Sequence, residues 1–281
     1  MNRNLRNHRL AVAILAAAAL VAGPASAQLN QPMHGDGWIL AAVHAPGYHG
    51  AIWRTDLWIF CDPVEDGTTV ELFFNRSGED NSEVHSVLVP LTVHKENYYI
   101  EDVVDHFLGI GDGSWLGAIH YRSNSNLQVW ARVYSISPDG TESYGQLIEG
   151  IPTGDASPGK DPWRAREYQW MYAVKHTANG RYRVNVGVVN VSGETGTFDV
   201  NIYDGAGNVL DGSVRVEVPP YSMVQLSDPF ADSFGGEWAD VRIRVTPADD
   251  EASFFAYASV VDNATNDAFF VRGMKRMRPG D

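Results

Sequence analysis

Trp53-Arg54-Thr55-Asp56-Leu57-Trp58-Ile59 and Tyr182-Arg183-Val184-Asn185-Val186-Gly187-Val188 read as two versions of one β-strand, about 130 residues apart. In the first, Trp53, Thr55, Leu57 and Ile59 fall on one face and Arg54 and Asp56 on the other. In the second, Tyr182, Val184, Val186 and Val188 oppose Arg183 and Asn185. Alternation with period two is the pattern of a strand that rests one face on a core.

The flanking segments repeat in the same order. Trp38-Ile39-Leu40-Ala41-Ala42-Val43-His44 precedes the first copy, and Trp170-Met171-Tyr172-Ala173-Val174-Lys175 precedes the second. Thr69-Val70-Glu71-Leu72 matches Thr197-Phe198-Asp199-Val200, and Val89-Pro90 matches Val218-Pro219. Leu127-Gln128-Val129-Trp130-Ala131 matches Phe254-Phe255-Ala256-Tyr257-Ala258. Turn signals separate the strands, clearest at Asp204-Gly205-Ala206-Gly207-Asn208 and Ser137-Pro138-Asp139-Gly140. Long helical patterns are missing; only Glu101 to Phe107, and Asp228 to Phe234 in the second copy, read as short helical turns. The predicted fold is all-β: two tandem immunoglobulin-like β-sandwich domains, superposable strand for strand over 38–150 and 168–274. One larger barrel or propeller fits less well, because the repeat is too long for a blade and occurs twice. Trp53 and Tyr182 are expected at equivalent, largely buried places.

Residues 1–27 combine Arg3, Arg6 and Arg9 with an apolar run from Leu10 to Ala22 and Pro24-Ala25-Ser26-Ala27, the pattern of a cleaved signal peptide. The apolar run is shorter than the roughly 20 residues needed to span a bilayer. No membrane insertion is expected after cleavage, and the mature chain is expected to be secreted or periplasmic. Domain 1 is then 28–151, a linker occupies 152–165 around Thr153-Gly154-Asp155-Ala156-Ser157-Pro158-Gly159, and domain 2 is 166–281. The formal net charge is −14, and it becomes more negative once the leader arginines are removed. Nucleic acid is thereby disfavoured as a partner, because its binding rests on Lys and Arg neutralising phosphates. A single cysteine, Cys61, permits no internal disulfide, so burial must hold each domain together.

The chain carries no nucleophile elbow, zinc-protease helix, Walker loop, paired C-x-x-C or EF-hand loop. Gly109-Ile110-Gly111-Asp112-Gly113 follows a helical turn instead of linking strand to helix, so it reads as a plain loop and not a phosphate cradle. His34, His44 and His49 cluster before the first strong strand, whereas His176 has no such companions, which speaks against a metal site. Asp102 and His106, four apart, suggest an ion pair on a helical turn. Among acidic loops, Asp262-Asn263-Ala264-Thr265-Asn266-Asp267 is the best calcium candidate, through Asp262 and Asp267, but it lacks the alternating ligand register; a hydrogen-bonded turn accounts for it better. No cofactor is implied. Trp58, Trp115 and Tyr144 in the first domain, and Trp163, Tyr168, Trp170 and Tyr172 at the junction, are candidate exposed aromatics. Of these, Trp115, Trp163, Tyr168 and Trp170 are the candidate ligand or partner surface. Fastening one sandwich to the other is their competing role.

The run Ala42-Val43-His44-Ala45-Pro46-Gly47 into Trp53-Arg54-Thr55-Asp56-Leu57, with Arg132-Val133-Tyr134, Tyr144-Gly145-Gln146, Arg183 to Asn190 and Ala256 to Asp267, is similar to a group of secreted bacterial proteins built of two such modules. The resemblance covers nearly all of the mature chain and implies export and a paired sandwich fold. The group has no established activity. Cys61 stands where the pattern has Asn, as at Asn190, so the amide hydrogen bonds of that turn are lost in the first copy. The function expected is a non-enzymatic exported binding, adhesion or spacer module, with an unknown protein or glycan as partner. The rival is a carbohydrate-binding accessory or secreted hydrolase with its site at the domain junction, which requires two convergent carboxylates there.

Overall fold

The computed structural model describes residues 35–276 apart from 48–49, 62–66, 93–94, 96, 110–112, 160–166, 178–179, 211, 230–237 and 250–251. The expected signal peptide, His34, His49 and Trp163 lie outside the described residues.

The first half of the chain forms β1 (Gly35–Pro46), β2 (Ile52–Phe60), β3 (Thr69–Arg76), β4 (Val87–Pro90), β5 (Asn97–Ile100), β6 (Trp115–Ser123), β7 (Gln128–Ile136), β8 (Ser143–Glu149) and β9 (Ile151–Pro152). The second forms β10 (Tyr168–His176), β11 (Tyr182–Asn190), β12 (Gly196–Tyr203), β13 (Val214–Val218), β14 (Met223–Ser227), β15 (Trp238–Pro247), β16 (Phe254–Asp262), β17 (Ala268–Arg272) and β18 (Met274–Arg276). Pairing within the first half runs β4-β3-β6-β1-β9 on one side and β5-β2-β7-β8 on the other, the two joined where Ala45 and Pro46 of β1 pair with Trp53 and Ile52. Pairing within the second runs β13-β12-β15-β10-β18 and β14-β11-β16-β17. Strand for strand, the two orders are the same. All pairs are antiparallel, and consecutive strands β1, β2 and β3 exchange sides, as in an immunoglobulin-like sandwich.

Irregularities repeat too. Register shifts between Ile39 and Ala42 against β6, and between Met171 and Val174 against β15, so the first strand of each half is bulged at the same place. The pairs Trp38↔His120 and Trp170↔Arg244, then Phe74↔Ile119 and Ile202↔Ile243, make Asn75 equivalent to Tyr203. One sequence match is corrected. Val89 pairs with Val70 and Val216 pairs with Phe198, so Val89 corresponds to Val216 and the two Val-Pro steps are two residues out of phase. Even slips preserve the face of a strand, which is why the pattern hid this one.

Each half has an inner core. Val184, Val186, Val188, Phe198, Val200, Ile243 and Val245 fill the second. The core of the first half, with Leu57, Ile59, Leu72, Phe74, Ile119 and Ala131, continues into Val189, Val191, Met223, Phe255 and Tyr257 of the second. The sheet β14-β11-β16-β17 is therefore covered on both faces: Phe254, Ala256, Ala258 and Val260 point to its own partner sheet, and Phe255 and Tyr257 point to the first half. Every residue of β16 is buried. Polar contacts close the seam: Asn75 Nδ2 donates to the Tyr221 carbonyl at 2.6 Å, Ser222 Oγ to the Arg76 carbonyl at 2.9 Å, and Ser259 Oγ to Gln146 Oε1 at 3.1 Å. Residues Pro32–Asp281 form one compact unit. The described part of the expected linker takes part in it, since Ser157 bridges Phe254 in both directions at 2.9 and 2.8 Å and is itself fully buried.

Local chemistry follows the sequence at the turns. Asp139 Oδ1 accepts from Ser137 Oγ and from the Thr141 amide, and Asp204 holds Asn208 by its amide and side chain. Asn190 Nδ2 donates to the carbonyls of Glu194, Val218 and Pro219, while Cys61 is buried with Sγ 3.6 Å from Ser125 Oγ. Trp53 and Tyr182 are equivalent but half-buried, not largely buried as expected, because each stands at the start of its strand, outside the run of buried residues that follows.

Candidate functional site

The outer face of β5-β2-β7-β8 presents Trp58, Phe60, Tyr99, Trp130 and Leu147. Trp58 and Trp130 are cross-strand partners, Tyr99 lies 5.1 Å from Trp58 between ring centroids, and Phe60, Tyr99 and Leu147 are exposed. Asn97 and Gln128 border the shallow trough between them. The alternation that sends Leu57 and Ile59 inward sends Trp58 and Phe60 outward. In the second half the equivalent partners are Gly187 and Tyr257, and that face is buried against the first half. Tyr257 is fully buried, stacks on Phe270 at 4.9 Å and donates to Gln225 Oε1 at 2.9 Å. One face of the duplicated sandwich is thus closed in one copy and open in the other.

Above the edge of that open face lies a charged cluster. Asp102, fully buried, has left-handed backbone (φ 43°), and both its carboxylate oxygens face His44 Nδ1 at 3.0 and 3.1 Å. Arg54 Nε is 3.3 Å from the same carboxylate. Asp56 accepts from the Asp102 amide at 3.0 Å, from Tyr134 Oη at 3.1 Å and from Tyr99 Oη at 2.9 Å. Burial, and then the negative charge of Asp56, push the Tyr134 phenol up to about 12; burial and Asp56 push Tyr99 upward as well. His44, Asp102 and Asp105 each offer a ligand atom within 4.8 Å of the others, but Arg54 already supplies the cation.

One sequence expectation is corrected at this cluster. Asp102 does not pair with His106 across a helical turn; Val103–Phe107 is a single π-turn in which His106 reaches Asp105 at 3.6 Å. In the second half, His176 Nε2 lies 3.3 Å from Asp228 Oδ1, and Asp228 is also left-handed (φ 44°). The His–Asp pair therefore recurs at equivalent places. Recurrence in both halves fits a fastening that ties the last turn of one sheet to the first strand of the other, since a catalytic set needs only one copy.

The remaining candidates are placed as follows. Trp170, expected on a ligand surface, is buried, enclosed by Tyr168, Tyr172 and Tyr203 with Arg242 and Arg244 over its ring. Tyr168 is half-buried beside it, and Trp115 is half-buried beneath Arg76 at 4.4 Å. Asp262 uses its carboxylate within its own turn, accepting from the Ala264 amide at 2.9 Å and lying 3.3 Å from Arg181; the Ala264 bond above all holds its pKa below the usual carboxylate value. Asp267 accepts the Asp262 amide through its backbone carbonyl at 2.7 Å. Tyr99, Trp130 and Phe60 were missed in the sequence, although they alternate with core residues on their strands. The His–Asp pairs were missed because their members lie far apart along the chain.

No family model matches the chain, and no curated protein matches it. Among solved structures, it is similar to a "Biofilm associated protein - BSP domain" at 7% identity, over 87% of this chain and 59% of that one, with a TM-score of 0.21. At that score the fold assignment rests on the strand order alone. Among the described residues, no helix is long and apolar enough to cross a membrane.

Proposed function

We propose that this chain is a non-enzymatic, exported binding module that meets its partner, a protein or a glycan, through the outer face of β5-β2-β7-β8. The observation that carries this reading is the contrast between the two copies: the second spends this face on the first half, and the first leaves it open with Trp58, Phe60, Tyr99, Trp130 and Leu147. Clustered aromatics are enriched in recognition surfaces because they bring large, rigid contact area at small entropic cost. The leader-like residues 1–27 support export to the periplasm or beyond. The hydrolase rival gains no support at the junction, where the lining among the described residues includes one carboxylate, Asp36.

The test is Trp58→Ala with Trp130→Ala, compared with the unaltered protein on glycan arrays and on bacterial and host surfaces. Retention should fall at least about tenfold with little change in melting temperature. Undiminished retention, or saturable hydrolysis by the purified protein, would overturn the reading.

A further inference from the structure

A second concave site lies on the other side of the first sandwich, where β1, β3 and β6 meet the loops of the second half. Its volume is about 410 Å³, within the range typical of small-ligand pockets. Asp36, Trp38, Asn75, His120, Arg122 and Tyr221 line it. His120 is clamped between Trp38 (4.5 Å, 8°) and Phe73 (5.3 Å, 26°), and its Nε2 is 2.7 Å from Asp36 Oδ1. Thr153 Oγ1 donates to the same oxygen at 2.8 Å.

Two of the lining residues are 1% exposed and carry an unmet polar atom: Trp38 Nε1, a donor, and Asn75 Oδ1, an acceptor, find no hydrogen-bond partner among the described residues. Buried polar groups are costly unless paired. The second half shows a filled alternative: Trp170 Nε1 is likewise without a partner among the described residues, so the unmet atom peculiar to the first half is Asn75 Oδ1. There Asn75 is replaced by Tyr203, whose ring closes on Trp170 at 5.0 Å, with Arg244 in place of His120. The first half keeps the tryptophan and withdraws the tyrosine.

We propose that this cavity binds one neutral hexopyranose unit. The lining pairs one carboxylate with one guanidinium, so it favours a ligand without net charge, and it offers one unmet donor and one unmet acceptor, which hydroxyl groups satisfy because each is both. Phe73, Val84 and Val191 supply apolar walls for the C–H faces of the ring. The site is remote from the open aromatic face, so the two readings stand independently.

The test titrates the purified protein with glucose, galactose, mannose and N-acetylglucosamine, with glucuronate and glucosamine as charged controls, by ligand-observed NMR and calorimetry. At least one neutral sugar should bind. Arg122→Ala should weaken it at least about tenfold, and Asn75→Tyr, which copies the second half, should abolish it while the protein stays folded by circular dichroism. Trp58→Ala should leave it unchanged. Loss in Trp58→Ala with retention in Asn75→Tyr would put the sugar on the open face and overturn the cavity site. Preference for a charged control, or no binding of any neutral sugar, would equally overturn it; neither outcome bears on the surface retention of the Trp58→Ala, Trp130→Ala protein.

Discussion

Gly187 lies beneath the ring of Tyr257, so close that a Cβ there would overlap it. The glycine lets the tyrosine lie flat in the seam between the halves, where it is stacked on Phe270 and bonded to Gln225. At the same two places the first half has Trp58 and Trp130, too bulky for such a seam.

Gly187→Ala should therefore destabilise the protein by about 1–3 kcal/mol, the range for overpacking a filled site. Tyr257→Ala should cost about 3–5 kcal/mol. Urea unfolding measures both, and a neutral Gly187→Ala would show that the ring is free to move aside.

A core shared by both halves should make them unfold together. Calorimetry should give one transition, and a chain lacking residues 1–151 should bind a hydrophobic dye strongly through the bared Phe255 and Tyr257 face. Two separated transitions would make the halves independent domains.

Asp102→Asn keeps a residue that tolerates left-handed backbone but leaves Arg54 and His44 without their carboxylate. A loss of about 1–3 kcal/mol is expected, moderated because both partners retain some exposure. Asp228→Asn should act in the same direction. If Asp102→Asn proved harmless to stability yet removed an activity, the fastening role would be wrong.

Alkaline pH should destabilise the protein across a defined window. The Tyr134 phenol titrates near 10 when unfolded and about 12 when folded, so above pH 10 the unfolded chain loses a proton that the native one keeps. The stabilisation is complete below pH 10 and is lost as the pH climbs through about 12. Tyr134→Phe should flatten that slope in denaturant titrations across the window.

Chelation should leave the melting temperature unchanged, because the Asp262 carboxylate is engaged by Ala264 and Arg181. A fall that calcium alone restores would make Asp262 and Asp267 ligands.

Strand identity, turn positions and the order of the repeat were legible because they depend on near neighbours: alternation at Trp53 to Ile59, and Asp–Gly chemistry at Asp204 to Gly207. Asymmetry between the copies was legible in principle. Gln128-Val129-Trp130-Ala131-Arg132 alternates, as a strand with one wet face does, whereas Phe254 to Ala258 is unbroken apolar sequence, the mark of a strand buried on both sides. The His44–Asp102 and His176–Asp228 pairs, and the cavity at Asn75, were not legible, since each is made by residues brought together only by the closed sandwich.

The doubly covered sheet also sets a timetable. Synthesis runs from the N-terminus, so the first half is complete before Phe255 and Tyr257 have been made. Through that interval Val43 and Leu116, which are half-buried against the shared core and in the finished protein line a hollow with Arg183, Asn185 and Val261, have no cover from the second half. A chain that emerges N-terminus first passes through a stage in which the earlier copy waits, apolar flank bare, as the mould for the later one, and a delay in the emergence of the second half would lengthen its exposure to aggregation.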